Sequence, residues 1–196
     1  MVAGSDTTAI ALRAIVYYVL KNPHVHRKLQ HELGAANLPV PVSYTAAQSL
    51  PYLGAVIEEA MRMHPVVGLP LERIVPAQGL TLPDGRFLAP GTIVGLNAWV
   101  VHQDKIVFGQ DAESFNPERW LQGPDETAME YQTRRLRMRE ANLTFGAGNR
   151  VCLGKNLSTL EIYKFISTLF LIYQVSNYFR CRFWWMTADW MADGFC

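Results

Sequence analysis

The stretch that most constrains this chain is Phe145-Gly146-Ala147-Gly148-Asn149-Arg150-Val151-Cys152-Leu153-Gly154. One cysteine sits in a glycine-rich loop, and an apolar run of helical length, Leu153 to Tyr173, follows at once. Glycine takes positive φ without steric cost, so the loop can turn tightly, and Asn149 also tolerates a left-handed conformation. Cys152 is therefore expected near a helix N-terminus. Free amides and the positive end of the helix dipole gather there, and both favour a thiolate over a thiol. A thiolate so held can ligate iron, and Arg150 stands close enough in sequence to pair with an anion beside the metal. On these residues alone, a buried structural cysteine in a tight turn remains the alternative.

Composition permits a packed domain and excludes several function classes. The chain has 196 residues, 49% apolar and 18% charged, which allows one real core and rules out a disordered chain. A net charge of +1 implies no bulk attraction to nucleic acid or acidic partners. The cysteines, at 152, 181 and 196, form no CxxC pair and no zinc set, which suits a reducing compartment. No signal peptide, internal repeat or low-complexity segment is visible. The apolar runs Ala9 to Leu20, interrupted by Arg13, and Phe165 to Val175 fall short of the ~20 residues a bilayer needs, and both read as buried helices.

Taken in order, the chain opens on Ala3-Gly4-Ser5-Asp6-Thr7-Thr8 ahead of the first apolar helix. Ser5 and Asp6 could cap that helix. A mid-helix Thr could instead bend it and, with Gly4, leave room for a small molecule. Asn22-Pro23 starts a polar helix ending at Gly34. His24, His26 and His31 lie on it as solvated side chains. Residues 35–43 form a Pro-rich loop, and Ser43 to Leu50 a short helix. A strong helix spans Gly54 to His64, with Glu59 and Arg62 on one face. Leu69 to Val101 reads as strands, with a hairpin turn at Asp84-Gly85 and another turn at Pro90-Gly91. Residues 122–141 read as a polar inserted loop, in which Arg134, Arg135, Arg137 and Arg139 cluster; a solvated charged face is the default for such a run.

The pattern Phe145-x-x-Gly148-x-Arg150-x-Cys152-x-Gly154 resembles the haem-binding loop of cytochrome P450, the haem-thiolate monooxygenases, of the eukaryotic microsomal type. Further motifs agree in order. Ala3-Gly4-Ser5-Asp6-Thr7-Thr8 resembles the oxygen-binding groove, Glu59-Ala60-Met61-Arg62 the Glu-x-x-Arg motif, and Pro117-Glu118-Arg119-Trp120 the later Pro-Glu-Arg segment. The resemblance implies that Cys152 supplies the axial thiolate to iron and that Phe145 shields its sulfur. Gly146, Gly148 and Gly154 shape the cofactor loop, and Arg150 and Arg73 pair with the haem propionates. Asp6 and Thr7 would relay protons to dioxygen. Glu59, Arg62 and Arg119 would form a buried structural network, where loss of one member costs ~3–5 kcal/mol. His102-Gln103-Asp104 is similar to a His-Arg-Asp run, with Gln at the middle position.

The implied fold is mainly α with a small β region (α+β), the C-terminal portion of the cytochrome P450 fold over residues 1–173, followed by a divergent tail at 174–196. The implied activity is insertion of one atom of dioxygen into a small apolar organic substrate, using haem b (iron protoporphyrin IX) and electrons from NADPH through a reductase. The four arginines would dock an acidic electron donor. A full-length member would sit at the endoplasmic reticulum membrane on its cytosolic face; no anchor is seen in this chain, and a truncated gene product is expected. Two other readings stand beside this one: a non-catalytic chain that associates with other proteins, and a relative that rearranges oxygenated lipids without dioxygen. The tail, with Arg180-Cys181-Arg182-Phe183-Trp184-Trp185 and Trp190, reads as a shifted frame or read-through.

Overall fold

Four helices share one apolar spacing, and that spacing builds the core. The computed structural model describes residues 2–173 and 175. Helix α1 (Val2–Lys21) buries Ala11, Ile15 and Val19; α2 (Pro23–Ala35) buries Val25, Leu29 and Leu33. Helix α8 (Lys155–Ile172) buries Ile162, Ile166 and Phe170. Side chains four apart fall on one face of an α-helix, so each helix presents a single stripe. The stripes meet around α4 (Pro51–Met63), whose Leu53, Val56, Ile57 and Ala60 are buried. A short helix, α3 (Tyr44–Gln48), closes one side; the Ser43 side chain caps it by accepting from the Ala46 amide at 3.2 Å.

Charge joins α2 to α4 at a helix end. The Glu32 carboxylate accepts from the Tyr52 and Leu53 amides, each at 2.8 Å. Those amides belong to the first turn of α4 and have no partner within the helix, and the dipole there favours an anion. Pro51 occupies the first helical position, where its missing N–H costs nothing. The helix therefore starts three residues before Gly54, the start expected from sequence.

The β region is small. Strands β1 (Leu71–Ile74) and β4 (Ile93–Leu96) pair antiparallel, with Arg73 opposite Val94. Strands β2 (Leu80–Thr81) and β3 (Phe87–Leu88) form the expected hairpin around Asp84-Gly85, where Gly85 has φ +87°. The mainly α fold with a small β region is as the sequence implied.

Four local expectations are corrected. Ser5 and Asp6 lie inside α1, so neither caps it. Helix α2 runs past Gly34 to Ala35, and the left-handed residue beyond it is Asn37, at φ +47°. Residues 98–101, read as strand, form helix α5 (Ala98–Val101), because Asn97 turns its side-chain oxygen onto the Trp99 amide at 2.9 Å. A second short helix, α6 (Lys105–Phe108), starts the same way from Asp104. The polar loop at 122–141 contains helix α7 (Ala128–Ala141), which buries only Met138. Its signal is a capping box: Thr127 accepts from the Glu130 amide, and the Glu130 carboxylate accepts from the Thr127 amide at 2.9 Å.

Because so little of α7 is buried, its start depends on that cap. Thr127→Ala should cost about 1 kcal/mol. Hydrogen exchange of the first-turn amides of α7 should then quicken about fivefold, and an unchanged rate would show that packing alone holds the helix.

Candidate functional site

The site is assembled around a buried carboxylate. Glu59 and Arg62 are fully buried, where sequence spacing alone would have allowed a surface pair. The Glu59 carboxylate accepts five hydrogen bonds: from Arg62 Nε and Nη2 at 2.9 and 2.8 Å, Arg119 Nε at 3.0 Å, Trp120 Nε1 at 2.8 Å and the Asn116 amide at 2.9 Å. The fork from Arg62 is bidentate, which only a planar guanidinium provides. Arg119 also donates from Nη1 to Asp111 Oδ1 at 2.9 Å and to the Phe108 carbonyl. Burial pushes the Asp111 carboxyl up, but hydrogen bonds from Arg119 and Asn116 outweigh it and hold it below the usual carboxylate range. The expected trio of Glu59, Arg62 and Arg119 is thus brought together in the structure.

Three members were not assigned by sequence: Trp120, Asn116 and His102. The first two adjoin the Pro-Glu-Arg segment, a 3-10 turn at Pro117–Trp120, and could have been read as its flanks. His102 opens the His102-Gln103-Asp104 run. It is fully buried, and both ring nitrogens are engaged. Nε2 accepts from the Leu143 amide at 2.8 Å, so Nδ1 carries the proton and donates to the Arg62 carbonyl at 2.9 Å. The Arg62 guanidinium in turn donates to the His102 carbonyl at 2.6 Å. Gln103 follows with its side-chain oxygen buried and unpartnered, at the position where the resemblance places Arg.

From Leu143 the chain enters the glycine-rich loop. The Gly146 amide donates to the Leu143 carbonyl at 2.9 Å, and the Cys152 amide donates to the Phe145 carbonyl at 2.8 Å. Gly146 and Gly148 take φ of +72° and +64°, which a side chain rarely adopts. Phe145 itself packs against the core. Cys152 is exposed and free, so it is not the buried structural cysteine of the alternative reading. Gly154 is the N-cap of α8, and a Cβ built there would lie 3.8 Å from Cys152 Sγ. The sulfur therefore stands beside the N-terminal end of α8.

The surroundings combine apolar and cationic side chains. Leu153 is wholly exposed and Leu157 is 62% exposed. Arg150 is exposed. Arg73, also exposed, reaches from β1 to the loop and donates to the Ala147 carbonyl at 3.3 Å. On α1, Gly4, Asp6 and Thr7 are exposed, while Thr8 is buried and its hydroxyl lies 3.1 Å from that of Ser158 in α8. The acid–threonine pair is thus carried on a helix bonded to the second turn of α8. Among the described residues, no group of three His, Cys, Asp or Glu side chains could hold a metal ion. His26 is half-buried rather than solvated, packing edge-on against Phe170 at 5.4 Å.

The arginine cluster is less free than its sequence suggests. Arg134 forks onto both oxygens of Glu126 at 2.7 Å and donates to the Arg119 and Leu121 carbonyls. Arg134 holds the Glu126 carboxyl down to about 2. This arginine serves the fold by fastening α7 to the buried network. Arg139 lies 3.4 Å from Glu58.

A helical chain that presents one exposed thiol from a glycine loop, braced by a buried carboxylate–arginine network, is a narrow class. The chain belongs to the cytochrome P450 family, whose family model matches residues 1–178. It is 48% identical over 183 residues to Cytochrome P450 monooxygenase cfoH of Aspergillus candidus, covering 93% of this chain and 34% of that protein. It is 49% identical over 179 residues to a Cytochrome P450 monooxygenase of Aspergillus terreus, covering 89% of this chain and 35% of the relative. Pisatin demethylase of Fusarium vanettenii is 44% identical over 164 residues, covering 84% of this chain and 30% of its own. The chain thus spans about a third of the length of these curated relatives.

His102 makes stability depend on pH. Burial, the largest cause, pushes its pKa from 6.5 down to about 4. The unfolded chain takes up the proton first, so this contribution is complete above pH ~6.5 and is lost as pH falls toward 4. It amounts to roughly 3 kcal/mol. Urea midpoints followed from pH 7 to 4 should fall more steeply for the parent than for His102→Gln; equal slopes would mean the imidazole does not stay neutral in the fold.

Proposed function

We propose that Cys152 is the thiolate ligand of a haem and that the protein bearing this chain is a haem-thiolate monooxygenase. It inserts one atom of dioxygen into a small apolar organic substrate. The observation that carries this reading is the exposed Cys152 thiol, held by its own backbone bond to Phe145 in front of α8. The donor set fits the group. Since no group of three His, Cys, Asp or Glu side chains among the described residues could hold a metal, one bound by Cys152 would have to bring its other ligands with it, as a porphyrin does. Exposed Leu153 and Leu157 offer apolar contact beside the loop, and two guanidinium groups, Arg73 and Arg150, are carried at its edge to meet acidic substituents.

When bound, haem b (iron protoporphyrin IX) supplies the dioxygen chemistry, and a thiolate ligand favours O–O cleavage. The chain's own residues position and protonate. Gly146, Gly148 and Gly154 give the loop its turns and bring Cys152 to the N-terminal end of α8. Arg150 and Arg73 would pair with the haem propionates. Asp6 and Thr7, exposed on α1, would relay protons, and their presence favours this reading over a dioxygen-independent rearrangement. Electrons come from NADPH through a reductase. Because Arg134 is committed to Glu126 and Arg139 lies beside Glu58, an acidic donor would meet Arg137 first. In the full-length protein the site lies on the cytosolic face of the endoplasmic reticulum membrane. No helix among the described residues is long and apolar enough to cross a membrane.

The reduced carbon monoxide spectrum tests the ligand directly. The haem-loaded protein should show a strongly red-shifted Soret band, and Cys152→Ala should abolish both that band and oxygenation. Persistence of both in the variant would overturn the assignment.

A further inference from the structure

The Glu59 network and the Cys152 loop share no side-chain hydrogen bond through Glu59, Arg62 or Arg119; what lies between them is one imidazole. We propose that His102 is a positioning residue: as the neutral Nδ1–H tautomer it clasps α4 to Leu143, and so fixes where the Cys152 loop begins. Its consequence for the thiolate rests on the haem-thiolate reading, but the clasp itself does not.

The geometry is reciprocal. Arg62 lies in the last turn of α4, where backbone carbonyls lack helical partners. The His102 ring supplies the donor for the Arg62 carbonyl, while the Arg62 guanidinium donates to the His102 carbonyl. On its other side the ring accepts from the Leu143 amide, and Leu143 is buried. Without that acceptor a buried N–H would lose its partner, which is costly in a dry interior. Leu143 is also the anchor of the first loop turn, through its carbonyl and the Gly146 amide. A displacement at Leu143 is therefore passed to Phe145, whose carbonyl holds the Cys152 amide.

Only the neutral ring can do this. A protonated imidazole would set Nε2–H against the Leu143 N–H, donor against donor. The charged groups facing the ring are Arg62 and Glu59, both from α4; from α6 it meets the Phe108 ring, with centroids 6.2 Å apart. The Thr144 hydroxyl adds a long contact to the Met61 carbonyl at 3.4 Å, too weak to replace the clasp.

Two substitutions separate the halves of the clasp. Gln places its amide where Nε2 stands and can still accept from Leu143. Asn reaches only the Nδ1 position and keeps the bond to Arg62. In hydrogen exchange at neutral pH, peptides spanning residues 142–154 should exchange about tenfold faster in His102→Asn and far less so in His102→Gln, with α1, α2 and α8 nearly unchanged. Equal protection of 142–154 in all three proteins would overturn the proposal. So would a loss that merely tracks the same loss in every helix. This arm needs no haem, so its failure is distinct from failure of the thiolate assignment. With haem bound, His102→Asn should lose part of the red-shifted carbon monoxide band that His102→Gln retains; identical bands in His102→Asn and the parent would also overturn it.

Discussion

A carboxylate taken out of water is the constraint on which the rest of this structure depends. Glu59 is fully buried, and a buried anion is tolerated only where its lone pairs are filled by well-placed donors. Five donors converge on it, two from Arg62 in α4 itself and three from the segment 116–120. Segment 116–120 is thereby fixed relative to α4. Burial of such a cluster is not a strong source of net stability, because desolvation cancels much of the attraction. Its value is positional: the segment 108–120 and the entry to the loop at 143 have one arrangement that satisfies every group.

That rigidity matters because the loop itself has little core of its own. Residues 147–157 are exposed, and three backbone bonds (Gly146 to Leu143, Val151 to Gly148, Cys152 to Phe145) plus the start of α8 define the loop's path. A loop with a free thiol and positive-φ glycines would wander if its ends were not held. One end is set through His102 and the buried network, and the other by α8, which shares a core with α1 and is bonded to it at Thr8. A sulfur can then stand at a helix terminus without being buried.

Much of this was legible in residue patterns, and the exceptions have physical causes. Stripes such as Val25, Leu29 and Leu33 encode their helix directly, since burial of one face repeats every turn. The Cys152 loop and the Glu59–Arg62 spacing were legible because their chemistry requires particular residues at fixed offsets. Helix α7 was missed because a polar segment carries no burial period; its Thr127–Glu130 cap was the available signal. His102 could not be assigned, because its role lies in contacts to the backbone of Arg62 and Leu143, forty positions away in each direction, and backbone groups leave no trace in sequence. For Asp6 and Thr7, structure adds their exposure on α1 and leaves their chemistry to experiment.

Equilibrium unfolding of Glu59→Ala probes the central claim with least ambiguity. If Glu59 is the buried hub, its removal strands Arg62 without its counter-charge and leaves Arg119 only Asp111, and stability should drop by about 3–5 kcal/mol. A loss below about 1 kcal/mol, the range of a solvent-exposed pair, would contradict the account.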